Sequence, residues 1–220
     1  SGTSIIYPYD ANTKPIPEVT FKKTYPNTYK YLCEKKEALK GRSYFDNSSK
    51  LWYELWCERV YSKFLERKII CAEIAPENRF YLDENGFLGN TKTFNIVLSD
   101  KWNNEYYYLL GLLNSNLLEF YHKKISVPKA GGFFEYKTQF LNHYPIFDYN
   151  PKDKKEKEAH DQIAKLASNL CELHKKLQTT KLETERQQIQ RLIDHAEKKI
   201  DELVYELYGL SDNEIKIIET

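Results

Sequence analysis

Apolar residues in the last third of the chain recur in two stripes. Ala159, Ile163, Leu166, Leu170, Leu173 and Leu177 step by 4, 3, 4, 3, 4, the spacing that places side chains on one face of an α-helix. Ile189, Ile193, Ala196, Ile200, Leu203 and Leu207 repeat the same steps. Asn150-Pro151 offers a cap and a proline for the start of the first helix. Thr180-Lys181-Leu182-Glu183 matches a capping box for the start of the second. Gly209 is a stop signal, and Ser211 to Glu214 repeats the box for a short last helix. Residues 151–220 are therefore expected to form a two-helix antiparallel coiled-coil hairpin with a short C-terminal helix.

The pattern before residue 150 is mixed. Ile5 to Tyr9 reads as a strand, and Pro26 to Lys40 as a helix stopped by Gly41. Lys68 to Ala75, Phe80 to Leu82 and Thr93 to Leu98 read as strands, with Asn85-Gly86 as a hairpin turn. Asn104 to Lys124 reads as a helix with a wide apolar face, which Gly111 and Asn114-Ser115-Asn116 are placed to kink or break. Phe133 to Tyr136 fits a short strand, and Tyr144-Pro145-Ile146-Phe147 closes the region. The expected fold class is α+β, a mostly antiparallel-sheet domain over residues 1–150 followed by the helical hairpin.

Composition sharpens that division. Of 32 aromatic residues only Tyr205 and Tyr208 lie beyond position 150. Residues 1–150 carry 20 basic and 17 acidic side chains, net +3, and residues 151–220 carry 13 and 15, net −2. Charged residues at 30% and hydrophobic ones at 41% fit a globular protein and exclude collagenous, disordered and membrane classes. The chain of 220 residues has no methionine and begins Ser1-Gly2-Thr3, which reads as a tag-removal scar on a piece of a longer protein. Cys33, Cys57, Cys71 and Cys171 form no C-x-x-C pair, and the five histidines do not cluster, so no metal site is expected. Scattered cysteines with no signal-peptide pattern suggest reduced thiols in the cytoplasm.

Catalytic constellations are absent from the sequence. There is no phosphate loop, no dinucleotide fingerprint and no nucleophile elbow. Asp83-Glu84 adjoins Asn85-Gly86 and reads as an exposed turn. Asp148 and Asp153 flank a helix start, where negative charge is favoured without any catalytic role. One stretch suggests a ligand: from Tyr121 to Phe140, Lys123, Lys124, Lys129 and Lys137 face a single acid, Glu135, and are interleaved with Phe133, Phe134 and Tyr136. Such residues suit phosphates and base edges. Composition alone favours a solvated loop beside an aromatic cluster, because a formal charge of +1 is no strong nucleic-acid footprint.

A series of segments alters that balance. Ile6-Tyr7-Pro8-Tyr9, Tyr25-Pro26-Asn27-Thr28-Tyr29, Trp52-Tyr53-Glu54-Leu55, Lys68-Ile69-Ile70-Cys71-Ala72-Glu73-Ile74-Ala75 and Arg79-Phe80-Tyr81-Leu82-Asp83 occur in order. Tyr108-Leu109-Leu110-Gly111-Leu112-Leu113-Asn114-Ser115, Gly131-Gly132-Phe133-Phe134-Glu135-Tyr136-Lys137 and Tyr144-Pro145-Ile146 follow. Together they resemble the TaqI-like C-terminal specificity domain, the target recognition domain of adenine-specific DNA methyltransferases and of single-chain (type IIG) restriction-modification enzymes. The tail from Ile200 to Leu210 is similar to the end of those proteins.

The resemblance implies a reader of double-stranded DNA that is not itself an enzyme. The parent would methylate an adenine with S-adenosylmethionine, and would need Mg²⁺ if it also cuts DNA. This chain would carry neither cofactor and no catalytic or metal residue, and its partners would be DNA and a methyltransferase domain of the same or another chain. Candidate DNA-binding residues are Lys123, Lys124, Lys129, Tyr136 and Lys137, then Arg79, Asn90, Thr91 and Lys92. Tyr136 is equally readable as core, and Arg79 as a partner of Asp83. The alternatives are a coiled-coil protein-interaction module, or a specificity subunit that assembles with a separate methylase.

Overall fold

The computed structural model describes residues 5–45, 48–58 and 60–220, so the expected scar at Ser1-Gly2-Thr3 lies outside the described residues. The chain divides into two compact units. The first comprises residues 1–66 with 86–88, and the second residues 67–85 with 89–220.

In the first unit short helices α1 (Glu18–Thr24), α2 (Pro26–Glu34), α3 (Lys36–Lys40) and α4 (Tyr61–Leu65) are tied by aromatic side chains. Phe21, Leu32 and Tyr53 form its core. Tyr53 donates to the Ile16 carbonyl at 2.7 Å, and the Tyr9 hydroxyl accepts the Leu55 amide at 2.9 Å. Two expectations change here. Ile5 to Tyr9 forms no ladder among the described residues, only a bridge between Tyr9 and Pro15. The expected helix from Pro26 to Lys40 is interrupted at Lys35, and Gly41 ends it as its position suggests.

The second unit begins with β1 (Lys68–Ala72), β2 (Ile74–Ala75), β3 (Tyr81–Asp83) and β4 (Thr93–Ile96). Asn85-Gly86 does not join β3 to β4 as a hairpin. Both strands instead flank β1 antiparallel, in the order β3-β1-β4. The register sets Lys68 opposite Asp83, and their wholly buried side chains pair at 2.5 Å. Asp83 is therefore a core residue, not the exposed turn its neighbours suggested.

Next come α5 (Tyr106–Leu113) and α6 (Asn116–Ile125). The expected long helix breaks between them because Ser115 donates to the Leu112 carbonyl at 2.7 Å and caps α6. β5 (Pro128–Lys129) and β6 (Phe133–Glu135) join β2 in a second antiparallel sheet of order β2-β6-β5, followed by α7 (Thr138–Leu141).

Two long helices, α8 (Lys154–Thr179) and α9 (Glu183–Leu207), then pack together as a hairpin, with α10 (Asp212–Ile218) after them. The stripes read from the sequence supply the buried Ile163, Ile193, Ala196, Ile200 and Leu203. The caps differ in detail. Asp153, not Asn150, caps α8 by accepting the amides of Lys155 and Glu156. The box at Thr180 does not form, because the Thr180 hydroxyl donates to the Lys176 carbonyl at 2.8 Å. The box from Ser211 to Glu214 does form.

The core of this unit joins β1, β3, α5, α6, α8 and α9 through Ile69, Leu82, Leu112, Leu118, Ile163 and Val204. No helix among the described residues is long and apolar enough to cross a membrane.

Candidate nucleic-acid interface

Lys68 to Ala75 reads as one strand but is two, and the break at Glu73 creates the site. The Glu73 amide donates to the Lys92 carbonyl at 2.8 Å, and its own carbonyl accepts the Tyr136 amide at 2.8 Å. One residue thereby holds the turn before β4 against the end of β6. That turn is braced by Asn90, whose side-chain oxygen accepts the Lys92 amide at 2.8 Å while its carbonyl accepts the Thr93 hydroxyl. Between β5 and β6 the chain reverses through Ala130-Gly131-Gly132, with φ of 80° at Gly131 and 79° at Gly132, a conformation side chains oppose.

Strand alternation decides what faces solvent. Phe134 and Tyr136 turn inward, and Phe133, Glu135 and Lys137 take the other face. Lys129 lies directly across from Phe133, so it shares that face. The charged groups there form a continuous alternating series. Lys92 meets Glu73 at 2.7 Å, Lys137 meets Glu73 at 3.8 Å and Glu135 at 3.2 Å, and Lys129 meets Glu135 at 2.8 Å. The lysine beside each acid, first Lys92 and then Lys129, holds both carboxyls below the usual carboxylate range. Three cations share two anions, leaving one formal positive charge on an exposed sheet face.

The candidate residues thus separate. Lys92, Lys129 and Lys137 come together, and exposed Asn90 and Thr91 adjoin them in the Lys92 turn. Lys123 and Lys124 are exposed at the end of α6, with their contacts inside that helix, to Glu119 at 2.6 Å and over the Phe120 ring. Arg79 stands apart and pairs with Glu77 at 2.6 Å, not with Asp83.

Tyr136 is corrected. It is 1% exposed, donates to the Asn78 side chain at 2.9 Å and stacks on His122 at 3.9 Å, so it supports the face from below and cannot touch a duplex. Burial raises its hydroxyl pKa and pushes His122 down to about 4. Glu73 was missed by the sequence reading. Its signal was an acid in the middle of an otherwise apolar run, which marks a break in a strand.

Two other features bear on chemistry. The Cys71 thiol is buried and pushed up to about 12 by that burial, which removes it as a nucleophile. A cavity of about 1260 Å³ lies between β3, α5, α6, α8 and α9 and is rich in acids, among them Glu77, Glu119, Asp194, Glu197 and Asp201. A phosphate backbone is repelled there.

Burial pushes Asp201 up to about 6, although the Asn116 amide donating to it at 2.8 Å pulls the other way. The unfolded carboxyl titrates near about 3.9. The stabilising contribution of this group is therefore complete below about pH 4 and is lost as the pH rises through about 6. Asp201→Asn is expected to flatten that segment of a urea-midpoint-versus-pH profile. An unaltered profile would refute the assignment.

Residues 5–146 match the family described as TaqI-like C-terminal specificity domain. The type II methyltransferase M.BanIII of Aneurinibacillus aneurinilyticus is 28% identical over 144 residues, which are 64% of this chain and 24% of that protein. The chain thus spans about a quarter of the length of this relative.

Proposed function

This chain belongs to the TaqI-like C-terminal specificity domain family, and from that membership we propose that it reads DNA sequence for an adenine-specific methyltransferase of a restriction-modification system. The observation that carries the proposal is the assembly of Lys92, Lys129 and Lys137 on one exposed sheet face, beside the polar turn of Asn90 and Thr91. Lysines position phosphates, and polar side chains in adjoining turns reach base edges.

The methylated base must leave the duplex, so a recognition domain grips the helix while a separate domain performs the chemistry. On this reading the chain is non-catalytic. S-adenosylmethionine, and Mg²⁺ where the parent is a type IIG nuclease, bind in the methyltransferase part of the same or another chain. The work is placed in the cytoplasm, with the DNA. Residues 1–150 are assigned to recognition, and the coiled-coil hairpin of residues 151–220 to its support. The alternative of a free interaction module fits less well, because Ile163 of the hairpin's stripe, with Ala167 beside it, is used against α5.

The test is a double substitution, Lys129→Gln with Lys137→Gln, in the full chain. Glutamine is preferable to glutamate, which would set a new anion against Glu135. Duplex binding is expected to weaken across all sequences, and its salt dependence to fall by about one in logarithmic slope for each lysine. Binding that keeps its wild-type strength and slope would remove this face from the interface.

A further inference from the structure

We infer that Glu73 and Glu135 act as an electrostatic brake on sequence-independent DNA binding, holding the three lysines in place and competing with phosphate for them. The inference rests on the DNA-reading function proposed above and adds two residues that such a function does not require.

The first ground is position. The carboxylates are the recessed members of the series, with side chains 15% and 11% exposed, whereas the Lys92 side chain is 72% exposed and those of Lys129 and Lys137 about 40%. An incoming backbone meets the ammonium groups first and finds each already engaged.

The second ground is rigidity. Glu73 is fixed by backbone bonds on both sides, to Lys92 and Tyr136. Glu135 lies within β6, and its carbonyl accepts the Ser126 hydroxyl at 2.7 Å. Neither acid can swing away with its backbone, while lysine stems are long and rotatable. On contact with DNA the lysines turn to phosphate and the carboxylates stay, leaving two anions close beneath a polyanion. The opposing charge weakens every complex held by electrostatics alone, and such complexes are the non-specific ones.

The third ground is charge state. Each carboxyl is held below its ordinary range by the adjacent lysine, so both remain ionised at neutral pH and the brake is permanent.

Glu73→Gln and Glu135→Gln in the full chain test the idea, with a mixed-sequence duplex as the probe. Each variant is expected to bind more tightly, by up to roughly an order of magnitude at about 0.1 M salt for one opposing charge removed, and to show a salt slope steeper by up to about 0.9. Glutamine keeps a side-chain oxygen for the lysine, and each lysine left behind is 38–72% exposed and reaches water, so unfolding midpoints should stay near wild type. Unchanged or weaker binding in both variants overturns the brake. Weaker binding would instead point to carboxylates that accept from a cytosine amino group. If Lys129→Gln with Lys137→Gln weakens binding while the glutamine-for-glutamate variants do not strengthen it, the DNA face stands and only the brake fails.

Discussion

Lys68→Met is expected to destabilise the protein by about 3–5 kcal/mol, the penalty for leaving one member of a buried ion pair without its counter-charge. Lys68 and Asp83 face each other across β1 and β3, both side chains wholly buried, at 2.5 Å. Asp83 also accepts the Asn85 amide at 2.8 Å, so the carboxylate is held in the interior whether or not the lysine is present. A domain of ordinary stability has about 5–15 kcal/mol in total, so the variant should unfold at markedly lower urea. The double variant Lys68→Met with Asp83→Leu should recover most of the loss, because it removes both desolvated charges together. If the double variant lost the sum of the two single effects, the pair would not be coupled. Strand β1, which starts at Lys68, leads directly into Glu73, so the outcome also bears on how firmly that residue is held.

Helical periodicity made the long hairpin legible, because a stripe at steps of 4 and 3 is a local property of one segment. Its caps were less legible. Thr180 has the right residue type for a box, yet its hydroxyl reaches back to Lys176, and nothing in the four-residue pattern decides between those two bonds. The strands were found, but not their partners. Asn85-Gly86 suggested that neighbouring strands pair, whereas β1 lies between them and pairs with both. Asp83 was misread for the same reason, since its partner Lys68 lies on another strand.

At the site, Lys129 and Lys137 could be named from charge and interleaved aromatics, and Lys92 from its place beside the Asn85-to-Asn90 turn once the family resemblance was in view. The role of Glu135 could not, because a count of four lysines against one acid treats the acid as a minority and ignores which two lysines flank it. Tyr136 follows Phe133, Phe134 and Glu135, a run whose apolar positions fit either face. Only the place of the Gly131-Gly132 turn fixes the alternation that buries it.

Removal of residues 151–220 is expected to abolish the cooperative folding of residues 67–150. Helix α5 reads Tyr-Tyr-Tyr-Leu-Leu-Gly-Leu-Leu from Tyr106 to Leu113, apolar on every side, and a helix of that kind must be covered. Its cover is α8, and the two approach so closely at Gly111 that an added Cβ would lie 2.6 Å from Ile163 and 3.6 Å from Ala167. Ile200, Leu203 and Val204 of α9 complete the same core. Gly111→Val should therefore cost about 1–3 kcal/mol by overpacking the contact. The truncation goes further and exposes the contact entirely.

A chain ending at Asn150 should show a broad thermal transition, bind a hydrophobic dye and sediment as aggregates. A sharp transition at the wild-type midpoint would show that recognition and support fold independently. The consequence reaches the functional experiments. Aromatic content and charge divide the sequence near residue 150, but packing does not, so loss of DNA binding after hairpin deletion would report unfolding as readily as a lost contact. Substitutions on the exposed lysine face leave the α5–α8 contact intact, and they separate recognition from folding where truncation cannot.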